Sequence, residues 1–95
     1  MNITELVERA QDEGIDLSPR MVNYYTQLRL IPKPSKKGLG RGKGVLVDYQ
    51  EETLECIRNI HYLADYCIPI NRMGVEGSNW VSKVASYLRA LEEDR

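Results

Sequence analysis

The sequence is poor in the residues that build covalent frameworks and metal sites. It has only two cysteines, Cys56 and Cys67, and they form no Cys-x-x-Cys pair and have no second soft ligand nearby in the sequence. This excludes a disulfide framework, and we expect both side chains to be core thiols. The only histidine, His61, lies inside a helical pattern without a companion ligand. We expect it to be a structural or surface residue, and we expect neither a metal ion nor a cofactor.

Long apolar runs are also absent. No run approaches the roughly 20 residues that a membrane-spanning helix requires, and the first ten residues, MNITELVERA, lack the basic-then-apolar layout of a signal peptide. We therefore expect a cytoplasmic protein without membrane contact. The 95 residues, 42% hydrophobic and 28% charged, have the size and composition of one globular domain. Because a domain this small buries a limited share of its surface, a binding module is favoured over an enzyme with a deep pocket.

Residues 18–47 contain no aspartate or glutamate. This segment, called the acid-free stretch below, has a charge of +7, whereas the rest of the chain, with six cations against fourteen acids, has a charge of −8. The formal net charge of −1 thus hides two oppositely charged parts. Because electrostatic steering depends on the local field, such a chain can dock a polyanion with one face. The seven cations are Arg20, Arg29, Lys33, Lys36, Lys37, Arg41 and Lys43.

The N-terminal part of the chain predicts two short helices. The first spans about residues 4 to 13, since its apolar residues recur at helical spacing, Asn2 and Glu5 resemble a capping box, and Gly14 is a typical stop. The second begins at Ser18, a residue suited to the N-cap, which is followed by a proline suited to the first helical position. It runs to about Leu28, because Pro32 forbids continuation.

The second helix has two distinct faces. At about 100° per residue, Val22 and Tyr25 point to one side, and we expect them to face the core. The other side is polar and can form hydrogen bonds. This polar face consists of Arg20, Asn23, Tyr24 and Gln27.

Helical periodicity is lost between Leu30 and Tyr49. The segment LIPKP predicts a short extended segment, and VLVDY, rich in β-branched residues, predicts a strand. Between them, SKKGLGRGKG combines four glycines with four cations, which is typical of a flexible hairpin tip whose backbone can approach a phosphate chain. We predict a basic β wing, whose candidate DNA contacts are Lys36, Lys37, Arg41 and Lys43.

A third helix is predicted to follow the wing. Asp48 and Glu51 resemble another capping box, which places the start at Asp48 or Tyr49, and the helix ends before Pro69. Apolar residues at helical spacing predict its core-facing stripe. These residues are Leu54, Ile57, Ile60 and Ala64.

The segment INRMGVEG predicts a short connection, and a last helix is predicted from about Ser78 to Glu93. Its apolar residues form a narrow seam at 3-4-3 spacing that could pair with a second copy of the chain, although the seam could equally pack on its own domain. We accordingly divide the chain into a DNA-binding domain at residues 1–69 and a candidate dimerisation element at residues 70–95. The seam consists of Val81, Val84, Leu88 and Leu91.

The predicted order of helix, turn, helix, basic hairpin and helix is the winged helix-turn-helix plan. The segments ITELVERA, SPRMVNYY, LRLIPKP and VDYQEETLECIRNIHYL resemble the N-terminal DNA-binding domain of MerR-type transcription regulators over roughly residues 3 to 66. The resemblance implies that Arg20 and Tyr24 contact bases or phosphates in the major groove. It also implies that Arg41 and the neighbouring lysines contact the backbone or the minor groove. Tyr25 and Tyr49 are expected to hold the core.

The sequence departs from the family pattern in three places. Asn23 stands where the family commonly has a second arginine, and an asparagine can read an adenine edge but supplies no charge. The turn DEGIDLS and the wing are both longer than in the family. Only about 25 residues follow Pro69, where family members usually have a long dimerisation helix and an effector-binding region. We therefore expect no effector domain in this chain.

The sequence motifs do not support an enzymatic function. The segment GLGRGKG lacks the spacing of a P-loop, and it leads into a strand instead of leading from a strand into a helix, as a dinucleotide fingerprint does. No catalytic constellation can be argued from spacing, so we expect that the protein is not an enzyme.

The sequence thus predicts a mainly α protein with a small two-stranded β wing that binds double-stranded DNA sequence-specifically as a transcription regulator. We expect a homodimer or larger array on the nucleoid, because two half-sites raise affinity and specificity together. RNA polymerase or another regulator is a further candidate partner. Two alternatives remain. One is an architectural, excisionase-like factor that bends DNA, and the other is a protein-interaction winged helix that uses its acidic exterior and the helix containing Trp80.

Overall fold

The computed structural model describes residues 1–94 and contains five helices and one two-stranded antiparallel sheet in that range. The predicted fold class, mainly α with a small β hairpin, is confirmed. Among these residues no helix is both long and apolar enough to cross a membrane. The elements are α1 (Ile3–Asp12), α2 (Pro19–Gln27), β1 (Ser35–Gly38), β2 (Val45–Asp48), α3 (Glu51–Asp65), α4 (Ile70–Glu76) and α5 (Ser78–Glu93).

Local capping explains where α1 and α2 begin, as predicted. The side chain of Asn2 accepts a hydrogen bond of 2.8 Å from the backbone N–H of Glu5. The hydroxyl of Ser18 accepts one of 3.2 Å from the N–H of Met21, and Pro19 occupies the first turn of α2, where its missing N–H costs nothing. Each cap satisfies one of the N–H groups that a helix leaves without a partner at its start.

The core lies between α1, α2, α3, α4 and α5, and each helix contributes one apolar face to it. Leu6 of α1, Val22 of α2 and Leu63 of α3 are fully buried there, together with Met73 of α4 and Ala85 of α5. The segment after residue 69 therefore shares one core with the segment before it.

The buried stripe of α3 differs from the prediction at its C-terminal end. Leu54, Ile57 and Ile60 are buried as expected, but Ala64 is exposed and Leu63 is buried instead. Burial of a leucine side chain removes more apolar surface from water than burial of a methyl group, so turning Leu63 inward is the more favourable arrangement.

The start of α3 was also predicted wrongly. The helix begins at Glu51, and its N-cap residue Gln50 makes no side-chain capping bond. Asp48 is instead the last residue of β2, where it pairs with Ser35, and its carboxylate lies 2.6 Å from the α-amino group of Met1. Asp48 lies two residues before the N-cap and its carboxylate is paired with the α-amino group of Met1, so it does not form the predicted capping box.

The predicted connection INRMGVEG is helical over Ile70–Glu76. Met73 is fully buried against the core, which stabilises this short turn of helix. A Cβ atom on Gly74 would lie 3.3 Å from Cδ2 of Leu28, so the glycine permits close packing of α4 against the end of α2. Gly77, with a φ of +96°, separates α4 from α5.

Helix α5 has the predicted bounds and packs on its own domain. Val81 and Ala85 are buried in the core, and Val84 and Leu88 are partly buried against it. Only Leu91 of the predicted seam is largely exposed. A second copy therefore cannot contact Val81 in this arrangement, which corrects that part of the predicted seam. Trp80 likewise packs partly against the core.

Helices α3 and α5 run side by side in the same direction. Near their starts, Val81 and Cys56 line one small cavity. Further along, Nη1 of Arg89 donates a hydrogen bond of 2.7 Å to Oδ1 of Asn59, and the Tyr66 hydroxyl hydrogen-bonds Glu92 near the end of both helices. The short helix α4 brings the chain back to make this parallel arrangement.

Two helices end at non-glycine residues with positive φ. These residues are Arg29, with a φ of +60°, and Cys67, with a φ of +63°. After Cys67, the N–H of Ile68 donates to the carbonyl of Leu63 at 3.2 Å, which closes α3. Cys67 is exposed at this turn and Cys56 is only partly buried, so the expectation that both are core thiols is wrong for Cys67.

Candidate nucleic-acid interface

The polar face of α2 is turned to solvent. Its four predicted contact residues are all exposed, while Val22 on the opposite side is fully buried. Tyr25 packs partly against the core, and burial raises the pKa of its hydroxyl. The amphipathic pattern therefore orients the helix as the sequence predicts. The exposed residues are Arg20, Asn23, Tyr24 and Gln27.

The first strand of the hairpin lies later in the sequence than predicted. Residues 30–34, LIPKP, are not in the sheet; β1 is Ser35–Gly38, and it pairs with Val45–Asp48 of β2. The physical reason is that Pro32 and Pro34 have no N–H to donate to a ladder. Lys36 and Lys37 consequently lie on a strand, whereas the prediction placed them in the tip.

The tip itself is short. The N–H of Leu39 donates to the carbonyl of Gly44 at 3.1 Å, and the N–H of Lys43 donates to that of Gly40, also at 3.1 Å. Gly40 and Gly44 both have a positive φ, +105° and +81°, a backbone conformation that residues with a Cβ atom rarely adopt. The turn holds Arg41 and Lys43 at the far end of the hairpin.

A groove of about 680 Å³ lies between α2 and the base of the hairpin. Asn23 and Gln27, which were predicted to contact DNA, line it from α2, and Lys36 lines it from β1. Arg20, Tyr24 and the cations of the tip do not line the groove. The described residues that line the groove are Asn23, Thr26, Gln27, Lys33, Pro34, Lys36, Val47 and Tyr49.

The hairpin register explains which of its lysines faces the groove. Lys36 lies opposite Val47, and Lys37 lies opposite Leu46. Since successive residues of a strand point to opposite faces, Lys36 and Val47 share the face toward α2, and Lys37 and Leu46 share the other. The lysine pair is thus divided between the two faces of the hairpin.

Five lining residues were not among the predicted contacts, namely Thr26, Lys33, Pro34, Val47 and Tyr49. Thr26 lies one turn after Asn23, and its hydroxyl donates a hydrogen bond of 2.9 Å to the carbonyl of Val22. Lys33 is an exposed cation between Pro32 and Pro34. The sequence already placed Lys33 in the acid-free stretch, which could have marked it as a candidate phosphate contact. Only the fold shows that it lies beside α2.

The floor of the groove includes Tyr49, which is 5% exposed. Burial raises the pKa of its hydroxyl. Its backbone N–H donates a hydrogen bond of 2.7 Å to the carbonyl of Met1. Tyr49 therefore anchors the hairpin to the helical core, as expected for a core residue.

The cations of the acid-free stretch differ from most other cations of the molecule. All seven are exposed, and within residues 1–94 none of them has an ion pair or a side-chain hydrogen bond. Outside the stretch, Arg9, Arg58 and Arg72 pair with glutamates, and Arg89 donates to Asn59. Of the described cations there, only Lys83 lacks such a partner. The positive charge of α2 and the hairpin is therefore available to an anionic ligand.

The hairpin also exposes apolar side chains. Leu39, Val45 and Leu46 are 47%, 59% and 48% exposed. A two-stranded sheet without a second layer cannot bury both of its faces, which accounts for this exposure. These three residues were not predicted from the sequence to form a surface feature.

No group of three or more His, Cys, Asp or Glu side chains in residues 1–94 is placed to hold a metal ion. Comparisons of the chain with protein-family models, with curated proteins and with solved structures gave no match. The surface of α2 and the hairpin presents unpaired cations, hydrogen-bonding amides and hydroxyls, and a few exposed apolar groups.

Proposed function

We propose that this chain binds double-stranded DNA through α2 and the β hairpin and acts as a sequence-specific transcription regulator of the winged helix-turn-helix type. The observation that carries the proposal is the set of seven exposed cations without ion pairs, five on α2 and the hairpin and two, Arg29 and Lys33, on the segment that connects them. Phosphate contacts by such cations supply much of the affinity of proteins for DNA. The acids of the chain all lie outside this stretch, so they do not neutralise it from within.

In this proposal α2 lies in the major groove, which is about 12 Å wide and admits one helix. Arg20, in the first turn, can reach a guanine edge or a phosphate, and Asn23 can form two hydrogen bonds with an adenine edge. Tyr24 can donate its hydroxyl to a phosphate oxygen. All three side chains are exposed on one face of the helix.

The hairpin has a suitable length for the neighbouring groove. Its strands have four residues each, which gives about 13 Å before the turn is added. One turn of DNA measures about 34 Å, so adjacent major and minor grooves are about 17 Å apart along the axis. With its base beside α2, the hairpin can place Arg41 and Lys43 at the minor groove that flanks the site.

A salt titration of DNA affinity tests the proposal. Fluorescence anisotropy with a labelled duplex should show binding that weakens steeply as salt rises. The double variant Lys36→Ala/Arg41→Ala should bind much more weakly, whereas Lys83→Ala, which removes an exposed lysine outside the stretch, should bind like the wild type. If the wild type binds no duplex at low salt, the proposal is wrong. Selection of bound fragments from random DNA would give the preferred sequence.

One observation favours a second candidate function, that of an architectural factor that bends DNA. Leu39 lies beside the tip cations and is about half exposed, and apolar side chains that enter the minor groove can unstack a base step and kink the duplex. Gel mobility of circularly permuted duplexes measures the bend. A large bend in the wild type that is lost in Leu39→Ala would favour this function.

A homodimer on DNA remains part of the proposal, but its contact must be revised. Since Val81 is buried in the core, the exposed residues Tyr87 and Leu91 of α5 are the better candidates for contact with a second copy. Light scattering during size-exclusion chromatography, with and without DNA, measures the mass. Tyr87→Ala/Leu91→Ala should remain monomeric if this face forms the dimer.

A further inference from the structure

The groove between α2 and the hairpin separates the two elements that, in the proposed function, enter neighbouring grooves of DNA. In B-form DNA a major groove and the next minor groove are divided by one sugar–phosphate strand. A protein that reaches into both must therefore leave a channel for that strand. The groove of about 680 Å³ is the concave feature that lies between α2 and the base of the hairpin.

We propose that this groove holds the sugar–phosphate backbone of one DNA strand, and that Lys33 is a phosphate contact within it. The inference rests on the proposed function and extends it to the surface that lies between the base-reading face of α2 and the hairpin tip. Among residues 1–94, two cations line the groove, Lys33 and Lys36, and no carboxylate does. This charge suits a run of phosphates.

The rest of the lining suits the other parts of a nucleotide backbone. Gln27 provides amide N–H donors on the α2 side, which can bond phosphate oxygens at the edge of the groove. Pro34, Val47 and Tyr49 provide an apolar floor against which a deoxyribose can pack. Cations along the sides and an apolar floor match the alternation of phosphate and sugar.

The position of Lys33 gives it a restrained backbone. Pro32 and Pro34 flank it, proline fixes its own φ, and the residue before a proline is confined to extended conformations. Its side chain is exposed and has no ion pair within residues 1–94. A phosphate contact by Lys33 therefore breaks no existing interaction. It also costs little conformational entropy of the backbone, because the backbone is already restrained.

Affinity measured against salt tests the role of Lys33. If one phosphate contact is lost, Lys33→Ala should bind about eightfold more weakly than the wild type at 0.1 M monovalent salt and only about twofold more weakly at 0.4 M. Lys83→Ala is the matched control and should follow the wild type at both salt concentrations. Because Lys33 is exposed, the thermal unfolding midpoint of Lys33→Ala should equal that of the wild type.

A second measurement locates the contact on the DNA. On a duplex recovered by selection, single phosphates are replaced by neutral methylphosphonates, and affinity is measured for the wild type and for Lys33→Ala. The wild type should lose affinity at one or two adjacent phosphates between the sequence read by α2 and the flanking minor groove. Lys33→Ala should show no further loss at those phosphates, because the contact is already missing.

Three results have distinct meanings. If Lys33→Ala binds like the wild type at 0.1 M salt while Arg20→Ala binds more weakly, the backbone site is wrong and the proposed function stands. The backbone site is also wrong if a deoxymononucleotide binds the wild type tightly, in the absence of duplex, and fails to bind Lys33→Ala, since the groove would then be a small-molecule site. Absence of any duplex binding by the wild type overturns both proposals.

Discussion

The guanidinium of Arg58 on α3 donates two hydrogen bonds to the carboxylate of Glu13 at the end of α1, 2.6 Å from Nε to Oε1 and 3.0 Å from Nη2 to Oε2. Earlier in α1, Nη1 of Arg9 donates to the carboxylate of Glu51 at the start of α3. The shorter of its two N–O distances is 2.8 Å, to Oε2. The two ion pairs fasten α1 along α3. Neither pair involves a residue of α2 or the hairpin, so the cations of those elements stay unpaired.

The pair between Arg58 and Glu13 predicts a dependence of stability on pH. The hydrogen bonds from Arg58 lower the pKa of the Glu13 carboxyl. A lowered pKa in the folded state means that the pair stabilises the fold above the ordinary glutamate pKa of about 4.3 and stops doing so as the pH falls through the lowered value. Glu13→Gln should therefore be less stable than the wild type at pH 7, and the difference should shrink below about pH 4.

Urea unfolding followed by circular dichroism at several pH values measures this effect. Glu8→Gln is the matched control, because Glu8 is an exposed residue of α1 without an ion pair in the described part of the chain. It should differ little from the wild type at any pH. A stability difference for Glu13→Gln that stays the same from pH 7 to pH 3 would show that the ion pair is not its cause.

Arg20 and Arg41 should make different contributions to DNA binding. If Arg20 contacts a base edge, Arg20→Ala should lose about 1–3 kcal/mol of discrimination between the selected site and a mismatched one. If Arg41 contacts phosphates, Arg41→Ala should weaken binding to all duplexes alike and reduce the salt slope by about 1. Competition binding with specific and random duplexes separates the two effects. The reverse pattern would overturn the assignment of α2 and the hairpin.

The hydroxyl of Thr53 should destabilise the fold. Thr53 is fully buried in the first turn of α3, and its Oγ1 has no hydrogen-bond partner in the described part of the chain. Thr53→Val keeps the shape and removes the unsatisfied group, so it should stabilise the protein by about 1 kcal/mol in urea unfolding. Thr26→Val is the control, because the Thr26 hydroxyl donates to the Val22 carbonyl and its removal should bring no gain. A less stable Thr53→Val would mean that the hydroxyl has a partner.

Cys67 should carry backbone strain that glycine relieves. Its φ of +63° is costly for any residue with a Cβ, by roughly 1–2 kcal/mol. Glycine adopts this conformation freely but loses more entropy on folding, so Cys67→Gly should stabilise the protein by about 0.5–1 kcal/mol. Cys67→Ala retains the Cβ and should gain nothing. Thermal unfolding compares the three proteins, and equal effects of glycine and alanine would exclude strain as the cause.

The two thiols should react at different rates. Burial raises the pKa of the Cys56 thiol, and the neighbouring carboxylates of Glu52 and Glu55 raise it further, whereas Cys67 is exposed. At pH 7.5 iodoacetamide should label Cys67 first, and Cys56 should react readily only at higher pH or after unfolding. Mass spectrometry of digested protein follows both sites. Preferential labelling of Cys56 would contradict this structure of α3.

The features that could be predicted from sequence are those that nearby residues control. Ser18 and Pro19 start α2 because a cap needs only a side chain and an N–H three residues away, and α5 has the predicted bounds. The exposure of Asn23 and Gln27 also follows from periodicity, since one side of an amphipathic helix must face solvent when the other packs on a core. The location of the cations on α2 and the hairpin is likewise a property of the sequence alone.

Other features depend on contacts between segments that are distant in sequence. SKKG has no strand pattern of its own. It forms β1 by pairing with VLVD, because the preceding segment LIPKP contains two prolines that have no N–H to donate. INRMGVE is helical because Met73 is buried in the core and Gly74 fits against Leu28. Neither condition is visible in a short window of sequence.

The sequence by itself determined the charge separation, the helix caps and the polar face of α2, because these depend on composition and on residues within one helical turn. Only the tertiary structure decided that Val81 faces the core and that Lys33 and Lys36 share a groove with α2. The reason is that burial and proximity depend on how all the helices pack together. A residue between two prolines becomes a candidate phosphate contact only when the fold places it beside the helix proposed to read DNA.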